Sequence, residues 1–200
     1  MKLEEAIQKL RKQEKKKFTQ TVDLGLTLKN LDVKKPENRF SKETVLPHGR
    51  GRDVHVGLIS NSIPDAINKD GLDELQKDMK KMRAVINKYD YFLCEPALMA
   101  TVGKVLGKFL GPKGKMPKPL PPNVPAEAIM TSLKKSVSVR VRDAPAITVP
   151  VGTEAMTDAQ LKENAEAVIN DVKGLLPKGA NQIKTLYIKT TMGKPVKIDA

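Results

Sequence analysis

The stretch Thr185-Leu-Tyr-Ile-Lys-Thr-Thr-Met-Gly-Lys-Pro-Val-Lys-Ile198 decides the fold of this chain. Residues 185–190 alternate polar and apolar side chains, the period of a half-buried strand. The alternation stops at Gly193 and Pro195 and resumes at Val196–Ile198, so the stretch predicts a strand, a tight reversal and a second strand. Its corner is Lys189-Thr-Thr-Met-Gly-Lys194. Glycine permits close approach to the backbone because no Cβ stands in the way. Threonine hydroxyls donate or accept hydrogen bonds, and Lys189 and Lys194 bracket the corner with positive charge. Two readings stand side by side: an ordinary hairpin with solvated lysines, and a corner along which an RNA backbone lies.

The whole chain shares that charge. It carries 36 lysines and arginines against 23 aspartates and glutamates, a net charge of +13, with a pI near 9.7. Such a surface favours polyanions: RNA, DNA or an anionic membrane. A hydrophobic content of 40% supplies a core, and 30% charged residues mark a soluble globular class. No apolar run nears the roughly 18–20 residues that span a bilayer, and Met1–Lys17 has acids and no apolar signal core. A cytoplasmic location and no membrane partner are expected. Cys94, with only His48 and His55, excludes a disulfide framework and a tetrahedral Cys/His zinc site, so neither metal nor cofactor is expected. No tryptophan and 4% aromatics are too few rings for a stacking platform along single-stranded bases.

Upstream of the corner, Leu3, Ile7 and Leu10 recur at helical spacing over residues 2–13. Lys15-Lys16-Lys17 is a solvated turn unless the fold points it where other basic residues point. Phe18–Leu28 is the clearest strand: Phe18, Val22, Leu24, Leu26 and Leu28 share one face, interrupted by Gln20. Phe18 is a core anchor on one reading and a ring presented to an RNA sugar or base on the other. Ser41–Leu46 reads as a short strand. Leu46-Pro-His-Gly-Arg-Gly-Arg52 reads as a flexible turn and domain boundary, with His48 a structural hydrogen-bonder or a titrating group.

The middle of the chain alternates strands and helices. Val54–Ser60 is a buried strand, and Ser62 and Pro64 open a helix over Ser62–Asn68. Leu72–Lys88 is one longer helix, striped by Leu72, Leu75, Met79, Met82 and Ile86. Tyr89–Cys94 is a strand, and Pro96 opens a helix to about Leu110. This order predicts βαβ units. Gly111–Pro125, with six prolines, reads as a loop that is neither helix nor central strand. Its Gly114-Lys115 fails the phosphate-loop pattern, with Phe109 where glycine is required and Met116 where Ser or Thr is required. Its lysines suit contact with nucleic acid or a neighbouring protein; a rigid solvent loop is the alternative. Beyond it, Ala126–Lys134 is a helix, and Ser136–Arg142 and Ala146–Val151 read as a hairpin. Thr157 and Gln160 form a capping box for a helix carrying Leu161, Ala165, Val168, Ile169 and Val172, ended by Gly174 and Pro177. Residues 1–50 and 135–200 hold 9 of the 13 net charges, so one body built from both chain ends would be the more basic one.

Four stretches at consistent separations carry a resemblance: Lys17-Phe18 leading into Thr19-Gln-Thr-Val-Asp-Leu24, Leu46-Pro-His-Gly49, Leu110-Gly-Pro-Lys-Gly-Lys-Met-Pro-Lys-Pro-Leu-Pro121, and Thr190-Thr-Met-Gly193. Over nearly its whole length the chain resembles the family of universal large-subunit ribosomal proteins, large-subunit protein one, that builds the mobile stalk beside the tRNA exit site, in its archaeal/eukaryotic-like form. The resemblance implies an α/β (α+β) fold of two domains. Domain one is an rRNA-binding α+β body from residues 1–49 and 135–200. Domain two is a Rossmann-like α/β block, residues 50–134, inserted and hinged at His48, Gly49, Lys134 and Lys135. The implied RNA contacts are Phe18, Thr191, Met192 and Gly193, with Lys17 and Thr21 beside them. The implied function is structural, in the large subunit and without enzymatic activity, with assistance to the release of deacylated tRNA. The implied partners are large-subunit rRNA, exit-site tRNA and the chain's own mRNA, whose translation it represses; the free protein is expected to be a monomer. In this mechanism Phe18 and Met192 supply apolar surface against sugars, while the Thr191 and Gly193 backbone approaches RNA hydroxyls and phosphates. Two readings from other classes remain beside it. One is a nucleotide-binding α/β enzyme, for which the middle block lacks GxGxxG after Val54–Ser60 and any nameable nucleophile–base pair. The other is a non-specific basic nucleic-acid binder.

Overall fold

The computed structural model describes residues 2–13, 16–35, 38–61, 63, 66–121, 125–142 and 144–199. These residues form a mixed α/β structure whose backbone contacts divide it into two compact units: Met1–Arg52 with Lys135–Ala200, and Asp53–Lys134.

The first unit is built around β1 (Thr21–Leu28), whose inward side chains Val22, Leu24, Leu26 and Leu28 are all buried. β1 lies antiparallel between β7 (Ala146–Thr153) and β8 (Ile183–Thr190), and β9 (Val196–Ile198) pairs antiparallel with β8, giving the order β7-β1-β8-β9. The strand, corner and returning strand read around Gly193 are thus β8 and β9. Helices α1 (Leu3–Arg11) and α6 (Asp158–Leu175) cover the apolar face with Ile7, Leu10, Leu161, Val168 and Val172. The Thr157–Gln160 capping box is present at the start of α6. On the opposite face Gly25 is buried beneath Tyr187, whose ring fills the space a Cβ would take.

The strands β2 (Phe40–Val45) and β6 (Ser136–Val141) form a separate antiparallel pair. The expected hairpin of 136–142 with 146–151 is therefore wrong: β6 pairs with β2, and β7 pairs with β1. The Pro145 carbonyl accepts from Leu28 N at 2.8 Å, which hands the chain from one sheet to the other instead of turning it back.

In the second unit, β3 (Val56–Ile59), β4 (Tyr91–Cys94) and β5 (Lys118–Pro119) run parallel in the order β3-β4-β5. Alternate residues face opposite cores. Ile59, Phe92 and Cys94 meet α2 (Lys69–Lys77), α3 (Met79–Lys88) and α4 (Met99–Lys113); Val56, Tyr91 and Leu93 meet α5 (Ala126–Lys135). A sheet buried on both faces reads as continuous apolar strands, as β3 and β4 do. Burial also pushes the Cys94 thiol up to about 11, so it is an inert packing group.

Three expectations fail in this unit. The helix read over 72–88 is two helices broken at Asp78, which is extended and accepts through its carboxylate from Lys80 N and Lys81 N, capping α3. The stripe breaks with it, since Met79 is exposed. Of the helix expected over 62–68, residues 62, 64 and 65 lie outside the described residues; Ile67 bridges Ile59 in parallel, and Asn68 only caps α2. Gly111–Pro125 is not simply a loop. Its first residues finish α4, where Pro112 is tolerated in the last turn and Gly114 closes the helix at φ +68°; Lys118–Pro119 is an edge strand. Its lysines are engaged inside the unit. Lys115 Nζ donates to the carbonyls of Ile86 and Tyr89 at 3.0 and 2.6 Å, capping the end of α3, and Lys113 bonds Asn87. Lys118 stands 5.6 Å from the centre of the Tyr91 ring, and burial lowers its pKa. These lysines are engaged within the unit.

Candidate nucleic-acid interface

The corner after β8 sits where both ends of the chain meet. Val22 pairs with Thr190 across β1 and β8, so Thr21 lies beside Thr191. The Thr21 carbonyl accepts from Thr191 N at 3.0 Å and from Thr191 Oγ1 at 3.2 Å. Phe18 and Met192 expose 54% and 68% of their surfaces, far more than core side chains do. The core-anchor reading of Phe18 therefore fails: the strand begins at Thr21, and the ring stands outside the core. Two adjoining clefts share Gln13 and Lys16. The first, about 420 Å³, is lined also by Gln20, Met192, Gly193 and Lys194. The second, about 460 Å³, takes in Lys17, Phe18, Glu154 and Thr190. Lys15 lies outside the described residues.

Two glutamines that the sequence reading did not single out shape the corner. Gln13 follows the end of α1, which is anchored by Arg11 to the Asp158 carboxylate and to the carbonyls of Glu154 and Met156. The Gln13 carboxamide accepts from Lys194 N at 3.0 Å and donates to Lys194 O at 2.9 Å. Gln20 is buried; its Oε1 accepts from Met192 N at 3.0 Å, and its Nε2 donates to Glu154 Oε1 at 3.0 Å. Backbone bonds tie residues 20 and 154 as well, since Glu154 N donates to the Gln20 carbonyl at 3.0 Å. Gln20 was visible as a break in the apolar face of the strand. An amide at an inward register implies a buried partner. Gln13 carried no comparable signal.

Gly193 does not adopt a left-handed backbone; it is needed for space. A Cβ there would lie 2.2 Å from Thr190 Oγ1 and 2.5 Å from Gln13 Oε1. The openness read at this glycine is filled from within the chain.

The corner's hydrogen-bonding capacity follows. The N–H groups of Thr191, Met192, Gly193 and Lys194 donate in turn to Thr21 O, Gln20 Oε1, Thr190 O and Gln13 Oε1. Four consecutive amides are occupied, so they cannot cradle a phosphate. None of these bonds uses the carbonyls of Thr191, Met192 or Gly193. A backbone carbonyl at this corner would accept from donors such as hydroxyls and base amino groups. Asp23 pairs with Lys189 across the sheet, and burial raises its pKa against the opposing pull of that lysine.

The expected hinge residues are placed less openly. His48 N–H donates to Asn164 Oδ1 at 3.1 Å, and its ring Nε2 lies 2.6 Å from Glu163 Oε2, a structural use of the side chain. Asn164, fully buried, donates to the carbonyls of Gly49 and Val151 at 2.9 and 2.8 Å. Gly49 has φ +68°, and Leu46 N donates to Lys135 O at 3.0 Å. Arg50–Arg52 group with the first unit; a Cβ on Gly51 would meet Thr153 Oγ1 at 2.7 Å. Lys134 ends the second unit.

Among the described residues no helix is long and apolar enough to cross a membrane, and no group of three His, Cys, Asp or Glu could hold a metal ion. Comparison with known proteins is decisive. The profile of the ribosomal protein L1p/L10e family matches residues 10–194. A protein of Pyrococcus horikoshii named large ribosomal subunit protein uL1 is 43% identical, over 99% of this chain and 95% of its own. Its namesakes from Methanothermobacter thermautotrophicus and Methanocaldococcus jannaschii are 44% and 40% identical, over 90% of this chain each and 90% and 87% of their own. The chain belongs to the ribosomal protein L1p/L10e family, in its archaeal form: a cytoplasmic ribosomal protein and not an enzyme.

Proposed function

We propose that this chain is a structural constituent of the large ribosomal subunit that grips large-subunit rRNA through the corner assembled from both chain ends. The observation that carries this reading is the pair of exposed apolar side chains, Phe18 and Met192, on adjoining clefts beside Lys16, Lys17 and Lys194. Phe18 and Met192 pack against riboses. Thr21 and Thr191 fix the edge between them, and the carbonyls beside Gly193 accept from ribose hydroxyls. Lys17 and its neighbours add attraction that weakens with salt. The second unit is then an inserted Rossmann-like domain, joined at His48, Gly49, Lys134 and Lys135. It completes a mobile stalk beside the tRNA exit site, where it assists release of deacylated tRNA. An mRNA of the chain's own that copies the rRNA site would occupy the same corner and be repressed in translation. The free protein is a monomer.

The test is competition of a structured large-subunit rRNA fragment against bulk tRNA at moderate salt. A strong preference for the fragment is expected, together with a loss of roughly fivefold or more for Phe18→Ala and for Met192→Ala, taking at least about 1 kcal/mol for each apolar side chain removed from the contact. Equal affinity for both RNAs would leave only a charge-driven binder.

A further inference from the structure

We propose that Gln13 is a positioning residue of the RNA-binding corner: its carboxamide pairs with both the N–H and the C=O of Lys194 and fills the space over Gly193, setting the corner's shape before RNA arrives. The proposal rests on the corner being the RNA site. Three observations converge on this one side chain. The carboxamide accepts from Lys194 N at 3.0 Å and donates to Lys194 O at 2.9 Å, a two-way pairing of the kind neighbouring strands make. Its Oε1 lies 2.5 Å from where a Gly193 Cβ would project, so the carboxamide occupies space that glycine at 193 leaves open. It also lines both clefts, against Met192 in one and Phe18 in the other.

The mechanism is one of pre-organisation. Without Gln13, the Lys194 amide loses its acceptor and the space over Gly193 opens. Residues 192–194 then sample other conformations, which RNA must freeze out on binding. Such a loss shows mainly as faster dissociation. It removes no charge, so the salt dependence of binding is unchanged. Gln20 holds Met192 N from the other side, but its buried bonds to Glu154 make it a poorer test residue. Gln13 is partly exposed, and its removal spares the core.

The experiment compares wild type, Gln13→Met, Gln13→Ala and Met192→Ala in the full chain, using a structured large-subunit rRNA fragment. Affinity and dissociation rate are read across a salt series, with the melting temperature and amide exchange of residues 192–194 in the free protein. Gln13→Met keeps the bulk over Gly193 but makes neither bond. It should weaken binding roughly fivefold to thirtyfold, mostly through dissociation, with an unchanged salt slope, a melting temperature near wild type and faster exchange at Lys194. Gln13→Ala should be weaker still. Unchanged affinity for Gln13→Met beside a weakened Met192→Ala would overturn the positioning role while keeping the site. Unchanged affinity for Met192→Ala would remove the site itself. A changed salt slope for Gln13→Met would make Gln13 a direct partner of the RNA backbone and overturn the proposal.

Discussion

Replacing Gly193 with alanine is the sharpest probe of the corner. The added Cβ would stand 2.2 Å from Thr190 Oγ1 and 2.5 Å from Gln13 Oε1, closer than real atoms pack. Thr190 is buried and branched at Cβ, so rotating it exchanges one clash for another. Swinging Gln13 away clears the second clash at the loss of both its bonds to Lys194, and Thr190 must still give way. At about 0.5–1.5 kcal/mol for each hydrogen bond, the corner loses about 1–3 kcal/mol, the same range as ordinary overpacking. The cost is local, because the corner can open without the sheet. Charged to binding, it becomes about a 5- to 150-fold rise in Kd. Lys189→Ala supplies the comparison: it removes one half-exposed cation, costs about 1 kcal/mol or less, and lowers the salt slope by about one. Filter binding to a structured rRNA fragment over a salt series measures both. Wild-type affinity in Gly193→Ala, or a larger loss in Lys189→Ala, would refute the claim that shape is what this corner contributes. Combining Gly193→Ala with Gln13→Ala should cost less than the two singly, since both remove the same pairing.

Three further outcomes test the frame around the corner. Asn164→Ala leaves His48 N–H and the carbonyls of Gly49 and Val151 without their partner, and should destabilise the first unit by roughly 2–4 kcal/mol, read as a lower urea midpoint. Asp78→Ala removes the cap of α3 and should cost the second unit about 1 kcal/mol, with Asp78→Asn close to wild type. Asp23 has a pKa raised above 3.8 by burial, so the folded state holds its proton more tightly than the unfolded one, and its charge works against stability above that raised value. Asp23→Asn should therefore gain on wild type as pH rises from about 3.8. The gain should vanish below that pH in a melting series.

Much of this was legible from local chemistry. The alternation around Gly193 yields β8 and β9, and Thr157 with Gln160 announces α6, because each signal is complete within a few residues. Pairing partners are another matter. Nothing local in Ser136–Val141 distinguishes a hairpin with 146–151 from a pairing with Phe40–Val45, a choice made by contacts nearly a hundred residues apart. The stripe through Leu72 and Ile86 concealed Asp78 because apolar periodicity outweighed one capping carboxylate. The lysines of 113–118 looked available because sequence does not reveal the carbonyls at the end of α3. Within the site, Gln20 betrayed itself by interrupting the apolar face just before β1. Gln13 acquires meaning only when it reaches Lys194, 181 residues away.

The donor pattern of the corner predicts how affinity should divide between RNA and DNA. Its four amides donate within the chain, and on the proposed reading the backbone oxygens accept from RNA hydroxyls. DNA presents the same phosphates to the lysines but lacks the 2′-hydroxyl. Two terms then behave differently as salt rises. The lysine term releases counterions and falls steeply for both polymers, while hydrogen bonds to carbonyl oxygens carry no comparable dependence. Affinity for an rRNA fragment and for its DNA copy should both drop between about 50 and 200 mM salt, with little change in their ratio. Met192→Ala should narrow the ratio, and Lys17→Ala should leave it in place while lowering both affinities. A ratio that collapses toward unity with salt would mean that the oxygens take no part and that charge alone holds the RNA.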